Sequence, residues 1–394
     1  MRTIAQVSPR SYGFLVFYAT CSTALLGLAT SLTSFLHQDA WIVPVVGSVL
    51  GAGVVFLFTM LARWYPLLTI YEINDQLFGK TIGTVFSLLF LSLPVFHFPA
   101  ITSYSVTFIQ NYTLPSTPFI VIAAIGIGII AFGIFFQVLS LSQETAELCF
   151  VFFIVPLLFL IFTTAPLIDF GFLQPHFTFS VFDMTEAFSI FLGNVISNVV
   201  IQLTVFPKYL AKKKAGERAL WTGYSLGCLT LTIITFLCIA VLSPELVAVD
   251  HYPAFTLAQE INAAGFLQRV EATITIIWFI CIYFNLVLYF HCIIIALKHF
   301  FKLKSVRTLI PAIALLLVYL ADYYFNNIAE ERSFYQYVSV PHSITVGTLL
   351  PILMVTVGII KRKKQQASLY PAYPDEATVY KLQHSKETKS SKQI

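Results

Sequence analysis

Between Phe188 and Lys214 an apolar run is interrupted by Gly193, Asn194, Ser197, Asn198 and Gln202. It is closed by Pro207 and passes at once into Lys208, Lys212, Lys213 and Lys214. Amide and hydroxyl side chains offer uncharged hydrogen-bond donors and acceptors, the chemistry that holds a small polar ligand. Hydrocarbon gives such groups no partner, so in a membrane span they face protein or a wet cavity. Two readings are open: a broken transmembrane helix lining a small-molecule site, or a polar seam between packed helices. Five such residues within roughly three turns favour the first. No nucleophile–base pair, metal-ligand cluster or phosphate loop accompanies them. Neither enzymatic activity nor a cofactor or metal site is therefore expected.

The elements that position these residues follow from composition. Hydrophobic residues make up 58% of the chain and charged residues 11%, with 38 phenylalanines. No soluble domain needs so much apolar surface, so the fold class is an all-α polytopic membrane protein whose partner is the lipid bilayer. A ruler of about 20 apolar residues per crossing gives ten transmembrane helices, near 12–36, 42–62, 82–110, 119–139, 146–168, 186–206, 219–242, 271–298, 308–325 and 343–360. Of the 23 basic residues only Arg269 and Arg332 then fall outside, which sets both termini in the cytoplasm. The net charge of +4 comes from lysines at span ends and in the tail and does not point to nucleic acid. Residues 1–364 form the membrane domain, and the polar tail over 365–394 is expected to be disordered in the cytoplasm. The first span is expected to serve as an uncleaved targeting signal. Cys21, Cys149, Cys228, Cys238, Cys281 and Cys292 all fall in apolar spans and read as packing residues. Gly47 and Gly51 form a small-residue pair suited to close helix packing.

The chain also repeats itself. Tyr65-Pro66, Thr69 and Glu72-Ile73-Asn74 recur as Tyr252-Pro253, Thr256 and Glu260-Ile261-Asn262, with one residue inserted. Five spans separate the copies, so they lie on opposite faces of the membrane. That is the mark of an inverted repeat, here about 11–168 against 186–360, with the site expected at the midplane between the halves. The repeat pairs span 6 with span 1, which carries its own polar stretch at Ser22, Thr23, Ala24, Gly27, Thr30 and Ser31. Half-helices meeting at such breaks present free N–H groups to a carboxylate and free carbonyls to a cation, an arrangement suited to a zwitterion. In span 3, Pro94 and Pro99 bracket His97, and the repeat offset carries His97 onto Asn285 in span 8. Tyr289 lies one turn after Asn285 on the same face, and Trp278 lies roughly on it. The site candidates are Ser22, Thr23, Ala24, Gly27, His97, Asn194, Ser197, Asn198, Asn285 and Tyr289. The alternatives are a histidine bonded to a freed backbone carbonyl for His97 and an amphipathic core residue for Tyr289. His291 points away from this face.

Several short motifs, in order and spacing, resemble one family. They are Met1-Arg2-Thr3-Ile4 with Val7-Ser8-Pro9-Arg10, Asp39-Ala40-Trp41, Tyr65-Pro66 with Glu72 and Phe78-Gly79-Lys80, and Arg269-Val270-Glu271 with Trp278. They look like the B subunits of bacterial spore nutrient germinant receptors, over nearly all of residues 1–364. The resemblance implies the five-plus-five inverted-repeat fold of the amino acid–polyamine–organocation superfamily, with helices 1 and 6 broken. It also implies action in the spore inner membrane with a membrane A subunit and a lipoprotein C subunit, and binding of a nutrient, commonly an amino acid. One departure is in span 1, where relatives carry a Gly-Ala-Gly type of break and this chain has Ser22-Thr23-Ala24-Leu25-Leu26-Gly27. Fewer glycines leave less approachable backbone.

Three functional readings remain: a nutrient-sensing receptor subunit, to which the resemblance points, a secondary amino-acid transporter, and a channel or scaffold subunit that binds no small molecule. The charge distribution makes a direct prediction. On a cysteine-free background, a cysteine at position 213 should label only from the cytoplasmic side and one at position 332 only from outside. The reverse pattern would invert the topology.

Overall fold

A computed structural model describes residues 7–136, 139–174, 177, 179–210, 212–261, 270–303, 305–325 and 327–364. Asn262, Arg269 and the tail over 365–394 lie outside the described residues. The helices are α1 (Pro9–Cys21), α2 (Ala24–Leu36), α3 (Ile42–Trp64), α4 (Ile70–Phe78), α5 (Lys80–Tyr112), α6 (Phe119–Phe135), α7 (Leu139–Thr164), α8 (Val181–Val200), α9 (Lys213–Leu242), α10 (Pro244–Val249), α11 (Pro253–Gln259), α12 (Glu271–Phe300), α13 (Ile310–Asp322), α14 (Ile328–Phe334), α15 (Val340–Ile344) and α16 (Leu350–Lys364). Among the described residues the only strand-like pairing is an isolated bridge of Val7 with Leu210. An all-helical chain is what hydrocarbon demands, because a helix satisfies its backbone internally.

Among the described residues, eight helical stretches are long and apolar enough to cross a membrane. The expected spans near 119–139 and 308–325 fall on shorter helices, α6 with 17 residues and α13 with 13. The expected span near 343–360 is the end of a longer stretch, Ile328–Arg362. That stretch passes through π-helical turns at Tyr335–Ser339 and Thr345–Leu349, which flank Pro341. A proline cannot donate its own bond to the ladder, and wider turns accommodate the mismatch.

The first span is broken as its polar residues suggest. α1 ends at Cys21, Ser22 leaves helical geometry at φ 15° and ψ −124°, and α2 begins at Ala24. The sixth span behaves differently. Gly193, Asn194, Ser197 and Asn198 stay within α8, where Asn198 Nδ2 and Ser197 Oγ both donate to the Asn194 carbonyl, at 2.8 and 3.1 Å. The α-helix gives way at the last of the polar residues, Gln202, in a 3₁₀ turn over Ile201–Thr204 that leads through Pro207 to Leu210. Lys213 donates Nζ to the carbonyls of Pro207 and Leu210, holding this exit closed.

The repeated motif adopts one backbone shape twice. Tyr65 sits at φ −129°, ψ 60° and Tyr252 at φ −136°, ψ 60°. Each accepts a bond from the residue three ahead, Leu68 at 3.2 Å and Phe255 at 2.8 Å. The inserted residue makes the two copies diverge after this turn. Thr69 caps α4 in a capping box with Glu72, whereas Thr256 lies inside α11.

Ion pairs gather on the lysine-rich face. Arg63 pairs with Glu217, Lys208 with Glu72 at 2.6 Å, and His299 with Asp75 at 3.2 Å. Burial pushes the pKa of the Glu72 carboxyl up, but the bond and charge of Lys208 and the bonds from Thr69 outweigh it and hold this carboxyl below its usual range. α4 is thereby pinned under the bundle, with Tyr71 fully buried and its hydroxyl on Cys292.

Small residues set the closest helix contacts. Gly47 and Gly51 of α3 admit Phe191 of α8 and the Tyr224 hydroxyl of α9, as helix packing requires. On α9, a Cβ at Gly223 would strike the Gly13 carbonyl and stand 2.9 Å from Val16 Cβ of α1. Nothing lies within 4 Å of such a Cβ at Gly53. Gly223→Ala should therefore force α1 and α9 apart and destabilise by about 1–3 kcal/mol, while Gly53→Ala is neutral or slightly stabilising. Thermal unfolding of the two purified variants in one detergent checks this. Equal melting temperatures would contradict the packing.

Candidate functional site

A cavity of about 200 Å³ lies between α2, α5, α8 and the π-helical turn after α14. It runs from the break between α1 and α2 to the exposed Ser34 and Arg332 on the face opposite the lysines. Thr23, Gly27, His97, Asn194, Ser197 and Asn198 line it. Thr23 and Gly27 are there because α2 starts at the break, which brings the first turn of the helix, its positive dipole end, to the wall. Asn194, Ser197 and Asn198 recur at helical spacing on one face of α8 and are 8%, 2% and 2% exposed.

The other candidates lie behind this wall. Asn285 Nδ2 of α12 donates to Ser22 Oγ at 2.7 Å and to Asn198 Oδ1 at 2.9 Å. Tyr289 OH donates to the same Asn198 oxygen at 2.8 Å. The Asn198 acceptor thus ties the sixth span to the eighth, and the Asn285 amide extends the tie to the break of the first. Ser22, Asn285 and Tyr289 are fully buried, so they reach the cavity only through Asn198 and Thr23. Ala24 is 3% exposed and belongs to the apolar core.

His97 finds a hydroxyl partner rather than a freed carbonyl. Its Nε2 stands 3.2 Å from Ser343 Oγ of α15, and its ring stacks at 6.3 Å from Tyr289 and 5.9 Å from His342. His342 in turn bonds Ser92 at 2.7 Å. α5 continues without interruption through Pro94 and Pro99. Trp278 is buried among Tyr104, Phe108 and Phe279, away from the cavity. Gln202 is buried without a hydrogen-bond partner for its amide among the described residues and does not line the cavity.

Sequence reasoning missed the outer wall: Tyr104, His251, Glu331, Tyr335, Gln336 and Ser339. The signal was present. Glu331, Tyr335, Ser339 and Gln336 fall at helical spacing, but the polar segment before 343 reads as a loop when a span is required to be apolar throughout. The floor of the cavity is uncharged, and charge enters only at the rim with Glu331 and Arg332. Such a site can bind and orient a small polar molecule through amides, hydroxyls and a helix N-terminus.

A family profile described as "Spore germination protein" matches residues 6–330. The chain belongs to this family. Relatives within it include spore germination protein KB of Bacillus subtilis (strain 168), 20% identical over 92% of this chain and 97% of its own length. Spore germination protein YndE of the same organism is 23% identical over 71% of this chain and 77% of its own. Among solved structures the spore germination chain resembles Mhp1, a nucleobase-cation-symport-1 family transporter in a closed conformation with bromovinylhydantoin bound. The TM-score is 0.64 at 14% identity, covering 95% of this chain and 82% of that one. It also resembles a Na⁺-coupled sialic acid symporter in a substrate-bound outward-open state, with TM-score 0.60 at 11% identity, covering 89% and 91%. These likenesses establish the fold, the inverted-repeat architecture of membrane transporters.

The shared acceptor makes its own prediction. Asn198→Leu leaves the Asn285 and Tyr289 donors buried and unpaired and should destabilise by about 1–3 kcal/mol per donor. In a double-mutant cycle, Asn198→Leu with Tyr289→Phe should lose less than the sum of the single changes. Additive losses in detergent unfolding would show that the bond does not hold the spans together.

Proposed function

We propose that this chain is the nutrient-sensing subunit of a spore germinant receptor. Its ligand, an amino acid, binds in the cavity between the broken first span and α8, and no catalytic step is involved. The observation that carries this reading is the placement of the cavity. Its inner end is Thr23 and Asn198, and Asn198 is bonded to Asn285 of α12, which in turn bonds Ser22 at the break. A ligand there touches the element whose geometry the whole bundle shares. A ligand shifts a conformational equilibrium only by its differential affinity for the two states, and about 100-fold supplies ~2.7 kcal/mol. The lysine-rich face and both termini are cytoplasmic in this reading, and the repeats run about 11–168 and 186–360. The protein sits in the spore inner membrane and reports occupancy to a membrane A subunit and a lipoprotein C subunit.

The second reading is a secondary amino-acid transporter, and it is favoured by the likeness to cation-coupled symporters. Against it, no Asp or Glu lies deep in α1, α2, α5, α8 or α12, where proton-coupled carriers often place one. Paired measurements on the same variants separate the two. His97→Leu and Asn194→Leu spores should need roughly 5- to 150-fold more nutrient to germinate, and vesicles holding only this subunit should not concentrate labelled nutrient. Accumulation against a gradient, with germination unchanged in variants that no longer bind, would replace the receptor by the transporter.

A further inference from the structure

The rim of the cavity differs chemically from its floor. Glu331 of α14 lines the cavity with a side chain 14% exposed, and its Oε1 stands 3.5 Å from His251 Nε2. That is too long for a good hydrogen bond, and His251 Nε2 has no hydrogen-bond partner among the described residues. The Tyr335 hydroxyl beside it is likewise buried without one. Tyr104 completes the rim: its ring lies 5.3 Å from His251, and its hydroxyl donates to the His251 carbonyl at 3.4 Å. Gly27 is what lets Tyr104 reach in, since a Cβ there would stand 2.9 Å from the hydroxyl oxygen.

Beyond the 3.5 Å contact with His251, which is an ion pair only when that ring is protonated, Glu331 has no charge partner among the described residues. Arg332 is exposed and donates Nη2 to the Val249 carbonyl at 3.2 Å. Asp250 adds a second carboxylate nearby: its Oδ1 accepts from the Tyr252 N–H at 2.9 Å, and its carbonyl accepts from cavity-lining Thr30 at 2.6 Å. A largely buried carboxylate without a full partner, beside two tyrosine rings, favours a cation. The carboxylate offers charge-assisted hydrogen bonds and the tyrosine hydroxyls offer further acceptor oxygens. An anionic group in that place is repelled.

We infer that Glu331 determines the specificity of the cavity and selects a ligand bearing a protonated amine, received between Glu331, Tyr104 and Tyr335. The inference rests on the cavity being the ligand site proposed above, and it adds an orientation. The ammonium lies at the rim, and the rest of the ligand lies inward against Asn194, Ser197 and Thr23.

Equilibrium binding to the full chain in lipid nanodiscs tests this. The twenty standard L-amino acids are assayed first. Each binder is then compared with the amine lacking its carboxylate and the acid lacking its amine. The amine should retain most of the affinity and the deaminated acid should lose at least about tenfold. Glu331→Gln should weaken every ammonium-bearing probe by at least about tenfold, the range of a hydrogen bond to a charged group. If the deaminated acid binds as well as its parent, or Glu331→Gln binds amines normally, the role of Glu331 is overturned while the site itself stands. If no amino acid binds the unmutated protein, the amino-acid reading fails and this inference with it. Should Glu331→Gln not fold, the comparison of amine with acid on the unmutated chain decides.

Discussion

One side-chain oxygen, Oδ1 of Asn198, accepts hydrogen bonds from both Asn285 and Tyr289. In water such bonds are nearly an exchange of equals. Inside a bilayer the donors have nowhere else to go, so losing the acceptor exposes the full desolvation penalty. Three spans must therefore keep the register in which Asn198 faces α12 and Asn285 faces Ser22. The break in the first span is joined to this network by a further bond, because Asn285 donates to the Ser22 hydroxyl at the point where Ser22 leaves helical geometry.

The two faces of the bundle are organised unequally around this knot. On the lysine-rich face, Lys208, Glu72, Asp75 and His299 bind α4 to the ends of α8 and α12, and Lys213 closes the turn beyond Pro207. On the opposite face, the cavity reaches exposed residues between α2 and α14. The bundle is thus tied by ion pairs on one side and open at the cavity on the other. The π-helical turns around α15 place the Ser343 hydroxyl against His97 and bring Gln336 and Ser339 to the cavity wall. Wide turns of this kind are tolerated where they serve a site.

Much of this was legible in the sequence because lipid is a strict solvent. Polar residues amid apolar spans had to meet, and Ser22, Asn198 and Asn285 do. The Tyr-Pro motif revealed the repeat because Tyr65 and Tyr252 take the same unusual backbone angles. The rest escaped for physical reasons. The end of α8 could not be located, because the polar residues run from Gly193 to Gln202 and only the last of them lies where the α-helix gives way. The short α6 and α13 are not marked by hydropathy alone as shorter than a crossing. The outer wall escaped because Glu331 and Arg332 look like a loop, whereas one helical stretch runs from Ile328 to Arg362 with its polar face toward the cavity. The split between wall and network was equally hidden. Spacing places Asn285 and Tyr289 on one face of α12, but only the packing of α8 puts Asn198 between them and the cavity.

The central claim is that a small ligand occupies this cavity and acts through Asn198. A cryo-EM structure of the assembled receptor, with and without saturating nutrient, tests it most directly. The account predicts ligand density between Thr23 and Asn198 with its amine toward Glu331, and a change in the Asn198–Asn285–Ser22 contacts between the two states. Ligand density elsewhere in the complex, with this cavity and its hydrogen bonds the same in both states, would contradict it.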